Sequence, residues 1–217
     1  MSDQRIRRER MVTRLIEPRG VDDARVLAAM RKIPRHRFVE EALADKAYGD
    51  HALPIGRGQT ISQPIIVARM AQIMELQPGD AVLEIGTGSG YQSAVLSCLV
   101  HRVYTVERIA DLSQQARGTI RALGIENVHF KVFDGTYGWS EFGPYDAILV
   151  TAATPQVPDP LRKQLRDGGR LVVPVGPPDR QVLRMLRRKS ATRFVEEDHG
   201  PVAFVPLVGR YGFEEQR

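Results

Sequence analysis

Cysteine, long apolar runs and histidines at metal-ligand spacing are all scarce or missing in this sequence. Of its 217 residues only Cys98 is a cysteine, so no internal disulfide can form. No apolar run approaches the roughly 18 residues that a membrane-spanning helix requires. The arginines Arg5, Arg7 and Arg8 are not followed by the uninterrupted apolar stretch of a signal peptide. We therefore expect a cytoplasmic protein without a membrane partner, and the five histidines predict no metal site.

The net charge of +5 is concentrated near the N-terminus. Residues 1–37 carry eleven Lys or Arg against five Asp or Glu, and the rest of the chain nearly balances. Such a segment could attract nucleic acid. Its cations alternate with Ile6, Met11 and Leu15 at helical spacing, which favours the solvated face of an amphipathic helix. We expect no nucleic-acid partner.

The first third of the chain predicts helices separated by a long loop. Helical patterns cover residues 4–17 and 22–32, and Asp22 and Asp23 suit the start of the second. Residues 35–63 contain many helix and strand breakers and predict a loop-rich stretch. An apolar stripe at helical spacing then predicts a helix over about 66–74.

From residue 81 onward the pattern alternates between strand and helix. Helices are predicted from about 90 and across 109–123, and strands at 81–85, 102–106, 128–133, 147–150 and 171–175. This alternation indicates an α/β, doubly wound, mostly parallel Rossmann-like sheet with helices on both faces. Apolar runs at 182–186 and 202–208 predict antiparallel strands near the C-terminus, and the first helices form an N-terminal extension.

A glycine-rich turn joins the first predicted strand to its helix. The glycines of Gly86-Thr87-Gly88-Ser89-Gly90 follow a G-x-G-x-G pattern, whereas the dinucleotide fingerprint is G-x-G-x-x-G with a pyrophosphate on the helix N-terminus. A ligand without a pyrophosphate, such as S-adenosylmethionine, suits this spacing better. A tight structural turn that uses two of the glycines is the alternative.

Acidic residues end the next two strands. Glu107 stands 21 residues after Gly86, where a carboxylate can accept hydrogen bonds from both ribose hydroxyls. Its alternative role is a surface ion pair with Arg108. Asp134-Gly135 is placed to receive the adenine amino group, although this dipeptide is also typical of a plain turn. A nicotinamide enzyme stays possible at this point.

Five stretches of the chain resemble the protein-L-isoaspartate O-methyltransferase family. They are LPIGRGQTISQP at 53–64, VLEIGTGSGYQ at 82–92, VERI at 106–109, YDAILVTAA at 145–153 and FVPLVG at 204–209. The similarity covers about residues 25–210, and the first stretch is the specific one. The resemblance implies methyl transfer from S-adenosylmethionine to the free α-carboxylate of L-isoaspartyl residues in damaged proteins and peptides. S-adenosyl-L-homocysteine is then the product, and the activity is repair.

The chain length and the order of the predicted elements suggest an organisation for the chain. We expect one S-adenosylmethionine-dependent methyltransferase domain over 1–217, active as a monomer. Within it, 1–63 holds the N-terminal helices and the substrate-side loop, 64–180 the cofactor-binding core, and 181–217 the C-terminal edge strands.

The family motifs assign roles to individual residues. Ser62 matches the family's active-site serine. The predicted cofactor-binding residues are Glu84, Gly86, Thr87, Gly88, Ser89, Gly90, Tyr91, Gln92, Glu107, Arg108, Asp134, Gly135 and Thr151. The predicted substrate-binding residues are Leu53, Pro54, Ile61, Ser62, Val205, Pro206 and Leu207. The last three could equally form a buried edge strand. Phe133 stands where the family usually has the first glycine of Gly-Asp-Gly, which predicts a local change in adenine packing.

The chemistry of carboxyl methylation fits a site without a general base. An α-carboxylate has a pKa of about 3.3 to 3.7, so it is already the nucleophile near pH 7. No Ser/His/Asp or Cys/His arrangement can be assigned near Ser62. We hypothesise that the Ser62 hydroxyl orients the carboxylate. The alternative is that Ser62 caps the helix that begins near Gln63-Pro64.

Two other functions compete with carboxyl methylation. Nucleic-acid amino-group methyltransferases often carry an Asn/Asp-Pro-Pro-aromatic sequence after the fourth strand, and here that position reads Thr151-Ala152-Ala153-Thr154-Pro155. A non-catalytic cofactor-binding module is disfavoured by the intact Thr60-Ile61-Ser62 stretch.

Overall fold

The N-terminal region folds into two helices joined by a tight turn. The structure is a computed structural model that describes residues 3–215, so residues 1–2 and 216–217 of the expected domain lie outside the described residues. Helix α1 (Asp3–Met11) continues through a π-helical segment, Val12–Ile16, and α2 (Ala24–Lys32) follows. Asp23 caps α2, because its Oδ1 accepts hydrogen bonds from the amides of Arg25 and Val26. Both predicted helices and the acidic start of the second are confirmed.

A hairpin that was not predicted lies in the loop-rich stretch. Two short 3-10 segments, Arg35–Phe38 and Glu41–Lys46, precede strands β1 (Leu53–Gly56) and β2 (Gln59–Ile61), which pair antiparallel. Helix α3 (Pro64–Ile73) follows directly.

A seven-stranded sheet forms the centre of the fold. Its strands are β3 (Ala81–Ile85), β4 (Arg102–Glu107), β5 (Val128–Val132), β6 (Tyr145–Val150), β7 (Leu165–Val175), β8 (Gln181–Arg188) and β9 (Phe194–Val202). The remaining helices are α4 (Tyr91–Ser97), α5 (Ala110–Ala122) and α6 (Asp159–Lys163). The strand order is β5-β4-β3-β6-β7-β8-β9, with β3 to β7 parallel and β8 and β9 antiparallel. The predicted fold class is confirmed.

Apolar side chains cover both faces of the sheet, because successive strand residues point to opposite sides. Val82 belongs to a core shared with the N-terminal helices, α3, α4 and α5. Its neighbour Leu83 belongs to a second core that includes Leu161 of α6. Nowhere in residues 3–215 is there a helix with both the length and the apolarity needed to cross a bilayer.

The predicted strand at 202–208 is wrong. The last strand is β9, which ends where that apolar run begins. β9 is an edge strand that pairs with β8 alone, and its central residues Val195–Asp198 are exposed. Because three of these four residues are charged, the sequence shows no apolar run that would have predicted this strand. Residues 203–208 are irregular, with isolated bridges from Pro206 to Ala153 and from Val208 to Phe213.

Candidate active site

A cavity opens at the carboxyl ends of β3, β4 and β6. The chain leaves β3 first toward β4 and β5 and later returns to its other side as β6. Such a reversal leaves a crevice in which α/β folds bind ligands. The cavity is partly open to solvent, and residues at or directly after the ends of all three strands line it.

Gly86 begins the turn over this cavity in a conformation that excludes a side chain. Its φ is +96°, and a Cβ there would lie 2.4 Å from Thr151 Oγ1. The Thr151 hydroxyl approaches this closely because its one proton is shared between the Gly86 carbonyl at 2.6 Å and the Ile85 carbonyl at 2.9 Å. The end of β6 therefore fixes the turn that follows β3.

Glu107 points inward at the end of β4 and is only 7% exposed. Its Oε2 accepts from the Gly88 amide at 2.9 Å, and its Oε1 accepts from the Ile109 amide at 3.0 Å. Each carboxylate oxygen keeps further lone-pair capacity for a ligand. Arg108 forms its salt bridge with Glu215 instead, at 3.1 Å. The alternative of a surface ion pair between Glu107 and Arg108 is therefore wrong.

A buried polar network supports the glycine turn from below. Glu84 is fully buried, and its Oε2 accepts from Thr105 Oγ1 at 2.7 Å and from the Ser93 hydroxyl. Thr105 Oγ1 in turn lies 2.7 Å from Thr87 Oγ1, on the turn itself. Burial raises the pKa of Glu84 to about 7, and the nearby Glu107 charge adds to this shift. Glu84 thus underlies the cavity and does not line it.

Asp134 holds the C-terminal segment against the end of β5. Its Oδ1 accepts from the Thr136 amide and hydroxyl at 2.9 and 2.7 Å. Its Oδ2 accepts from the Arg210 amide at 2.8 Å. Gly135 lines the cavity and Asp134 does not, so the adenine contact of Asp134 stays a prediction. Phe133 is 46% exposed and packs against Tyr137 outside the cavity.

Ser62 precedes α3 without capping it. The N-cap residue is Gln63, whose carbonyl accepts from the amides of Ile66 and Val67. Within residues 3–215 the Ser62 hydroxyl makes no hydrogen bond, whereas its carbonyl accepts from Arg35 Nη2 at 2.7 Å. The capping alternative is therefore wrong, and the hydroxyl is free for a ligand.

A second groove meets the cavity at Ser62. It contains about 960 Å³ of empty space. The residues common to both are Thr60, Ser62, Thr151 and Val205. Val205 is held there because its carbonyl accepts from the Ala153 amide at 2.8 Å, while the Leu207 amide donates to the Ala153 carbonyl at 2.6 Å.

Fifteen of the twenty predicted site residues line the first cavity. They are Ile61, Ser62, Gly86, Thr87, Gly88, Ser89, Tyr91, Gln92, Glu107, Arg108, Gly135, Thr151, Val205, Pro206 and Leu207. Five do not: Glu84, Gly90 and Asp134 support it, Leu53 is buried in the core, and Pro54 is exposed on β1. The lining residues that were not predicted are Gln59, Thr60, Val67, Ile85, Val106, Ala152 and Val208. Ile85 and Val106 directly precede Gly86 and Glu107, and this adjacency could have identified them.

Comparison with known proteins agrees with this geometry. Residues 6–212 match the family model of protein-L-isoaspartate(D-aspartate) O-methyltransferase. Curated proteins named protein-L-isoaspartate O-methyltransferase include one from Syntrophotalea carbinolica, 52% identical over 99% of both chains. Another, from Geobacter metallireducens, is 53% identical over 96% of both chains.

Solved structures give the same result. A protein-L-isoaspartate O-methyltransferase with 33% identity superposes with a TM-score of 0.87, covering 94% of this chain and 67% of its own. A Plasmodium falciparum protein assigned to the same enzyme class, solved with S-adenosyl-L-homocysteine, has 25% identity and a TM-score of 0.81, covering 93% and 98%. This chain therefore belongs to the protein-L-isoaspartate O-methyltransferase family.

Proposed function

We propose that this protein transfers a methyl group from S-adenosylmethionine to the free α-carboxylate of L-isoaspartyl residues in damaged proteins and peptides, which starts their repair. The observation that carries the proposal is the junction at Ser62. The cavity under the glycine turn opens there into a second groove, and a free hydroxyl lies on the wall that both share.

The residues of the first cavity suit the cofactor. Gly86 and Gly88 both line the cavity, and Gly86 can carry no side chain because one would collide with Thr151. Glu107 offers a carboxylate that two backbone amides hold in place, suited to a pair of ribose hydroxyls. When bound, S-adenosylmethionine supplies a sulfonium methyl group that a carboxylate oxygen can accept.

The second groove suits a peptide. Its walls include Ala52, Ile66, Val202 and Phe204, and every residue that lines it is uncharged. An extended peptide could lie along such a surface while its isoaspartyl carboxylate reaches the junction. With uncharged walls, the hydroxyl of Ser62 is a natural hydrogen-bond donor to that carboxylate.

Positioning is the main task of these residues. The carboxylate is ionised near pH 7, so no proton need be removed before attack. Ser62 orients it, and the apolar side chains of Val205 and Leu207 offer water no hydrogen-bond partner on their wall. Exclusion of water favours a reaction in which opposite charges neutralise each other.

The proposal includes a monomer in the cytoplasm that uses neither nucleic acid nor membrane as a partner. The single cysteine supports a reducing compartment. Light scattering of the purified protein tests the monomer, and a dimer mass would contradict it.

The activity is tested with S-adenosylmethionine labelled on its methyl group. Three acceptors are compared: an isoaspartyl peptide, the same peptide with normal aspartate, and RNA. We expect base-labile label in the isoaspartyl peptide alone. Label in RNA alone would contradict the proposal and favour a nucleic-acid methyltransferase.

The role of Ser62 is tested with Ser62→Ala and a matched control, Ser97→Ala. The Ser97 hydroxyl at the end of α4 donates only to its own helix, at the Ala94 carbonyl. We expect Ser62→Ala to lower kcat while both variants keep wild-type thermal stability. Equal methyl transfer by the two variants would remove Ser62 from the mechanism.

A further inference from the structure

Arg35 is a fully buried cation whose bonds go to no acidic side chain. It is 0% exposed. Its Nε donates to the Ala47 carbonyl at 2.7 Å, and its Nη2 donates to the Ser62 carbonyl at 2.7 Å. Among residues 3–215, its Nη1 has no hydrogen-bond partner. The guanidinium also lies over the Tyr91 ring, 4.9 Å from the centroid.

The charge of this group is unfavourable for folding. Burial lowers the pKa of Arg35 to about 10, so the guanidinium is still protonated at neutral pH. A buried charge without a counter-ion costs free energy that neutral hydrogen bonds offset only in part. A well-packed apolar side chain would often serve stability as well. Stability alone therefore does not explain an arginine at this position, and we infer a functional role for it.

Two of the groups that Arg35 contacts belong to the active site. Ser62 lines both cavities, and Tyr91 lines the cofactor cavity directly after the glycine turn. The bond to the Ser62 carbonyl fixes the peptide plane between Ser62 and Gln63 and leaves the Ser62 hydroxyl free. The contact with Tyr91 ties that peptide plane to the start of α4.

We propose that Arg35 is a positioning residue for methyl transfer: it links the Ser62 backbone to the Tyr91 ring, so that the Ser62 hydroxyl faces the substrate carboxylate. This inference rests on the proposed function. Arginine suits the task because its planar fork can donate in several fixed directions and stack on a ring at the same time. Lysine, with a single ammonium on a flexible stem, cannot make all three contacts together.

The test is a double-mutant cycle between Arg35 and Ser62. Arg35→Lys and Arg35→Gln are each made in the wild type and in Ser62→Ala. For every variant we measure kcat and KM for an isoaspartyl peptide, Kd for S-adenosylhomocysteine by calorimetry, and thermal unfolding. Arg170→Lys is the matched control, since Arg170 is also a buried arginine, but donates to Met74, Glu75 and Asp80 away from the cavity.

The expected result is a kinetic defect that depends on Ser62. Misplacement of a reacting group can lower a rate by about 100-fold, so Arg35→Lys should lower kcat by about 10- to 100-fold. The Kd for S-adenosylhomocysteine should stay within about threefold. In the Ser62→Ala background the same substitution should change kcat by less than about twofold, because the group that it positions is already gone. Arg170→Lys should lower stability and leave kcat unchanged.

Three results would overturn the inference. Additive effects of the Arg35 and Ser62 substitutions would mean that Arg35 only supports the fold. A loss of S-adenosylhomocysteine affinity as large as the loss of kcat would assign Arg35 to the cofactor site. An unchanged kcat in Ser62→Ala would remove the residue through which Arg35 acts. The proposed function itself fails separately, if the wild-type protein does not methylate the isoaspartyl peptide.

Discussion

The carboxylate of Glu107 accepts a hydrogen bond from the Gly88 amide at 2.9 Å, and this bond links the end of β4 to the glycine turn after β3. Because the same carboxylate is suited to ribose hydroxyls, Glu107→Gln should weaken cofactor binding. Hydrogen bonds to charged groups contribute about 1.5–3 kcal/mol, so we expect Kd for S-adenosylhomocysteine to rise about 10- to 100-fold.

Calorimetry of two variants checks this. Glu126→Gln is the control, since Glu126 is an exposed carboxylate in the turn before β5. Equal affinities in the two variants would show that Glu107 does not hold the cofactor.

A methyl group at Gly86 should be severely disruptive. Gly86→Ala adds a Cβ 2.4 Å from Thr151 Oγ1 to a residue with a φ of +96°, and we expect both a lower Tm and the loss of S-adenosylhomocysteine binding. Gly118→Ala is the matched control. Gly118 is exposed within α5, with nothing within 4 Å of its added Cβ, and alanine in a helix is favoured over glycine by about 0.5–1 kcal/mol. Differential scanning fluorimetry should therefore show a Tm below that of the wild type for Gly86→Ala and above it for Gly118→Ala. A Gly86→Ala protein as stable as wild type would contradict the close approach.

The buried pair of Arg170 and Asp80 should be important for stability. Their side chains are 8% and 5% exposed and meet at 2.8 Å. Arg170→Met leaves the Asp80 carboxylate buried without its cation, and removal of one member of such a pair costs about 3–5 kcal/mol.

The control for this prediction is Arg187→Met, whose partner Glu75 is 59% exposed and whose loss should cost about 1 kcal/mol or less. Urea unfolding at neutral pH measures both. The prediction fails if the two variants lose similar free energies of unfolding.

Protonation of Glu84 should make stability depend on pH. Its pKa is raised from 4.5 to about 7 in the folded protein, so the native state binds the proton more tightly than the unfolded chain does. This contribution is fully present below the unfolded pKa and is lost as pH rises through about 7. The free energy of unfolding should fall by a few kcal/mol over this window.

Glu84→Gln should remove this slope, because the amide does not titrate. Urea unfolding of the wild type and of Glu84→Gln at steps between pH 5 and 8 is the measurement, and the variant should be relatively more stable at pH 8. Parallel profiles would mean that Glu84 is not the titrating group.

The βαβ core could be predicted closely because its strands are buried on both faces. The predicted bounds of β3 equal the observed ones, and those of α5 differ from the observed ones by about one residue at each end. In both elements the apolar residues serve only to pack the core, so their spacing directly reflects the strand or the helix. The β1–β2 hairpin was missed for a local reason. Its turn, Gly56-Arg57-Gly58, has positive φ at all three residues, and these residues with Pro54 resemble a loop in the sequence.

Only the site residues that belong to local sequence motifs could be predicted from the sequence. Gly86 directly follows β3 and Glu107 ends β4, so the strand pattern identified both. The proximity of Ser62 to Val205 depends on tertiary pairing between Ala153 and the irregular segment after β9. Arg35 was not found at all, because in the sequence it is one of eleven cations in residues 1–37, and burial of a single arginine leaves no mark in a charge pattern.

The wall formed by Val205 to Val208 has a consequence for synthesis of the protein. These residues follow every strand of the sheet along the chain, yet they close the cofactor cavity by pairing with Ala153. A nascent polypeptide that has not yet been extended to Val205 therefore lacks one wall of the cofactor cavity. The strands of the sheet and the segment after β9 must both be synthesised before the binding site is complete.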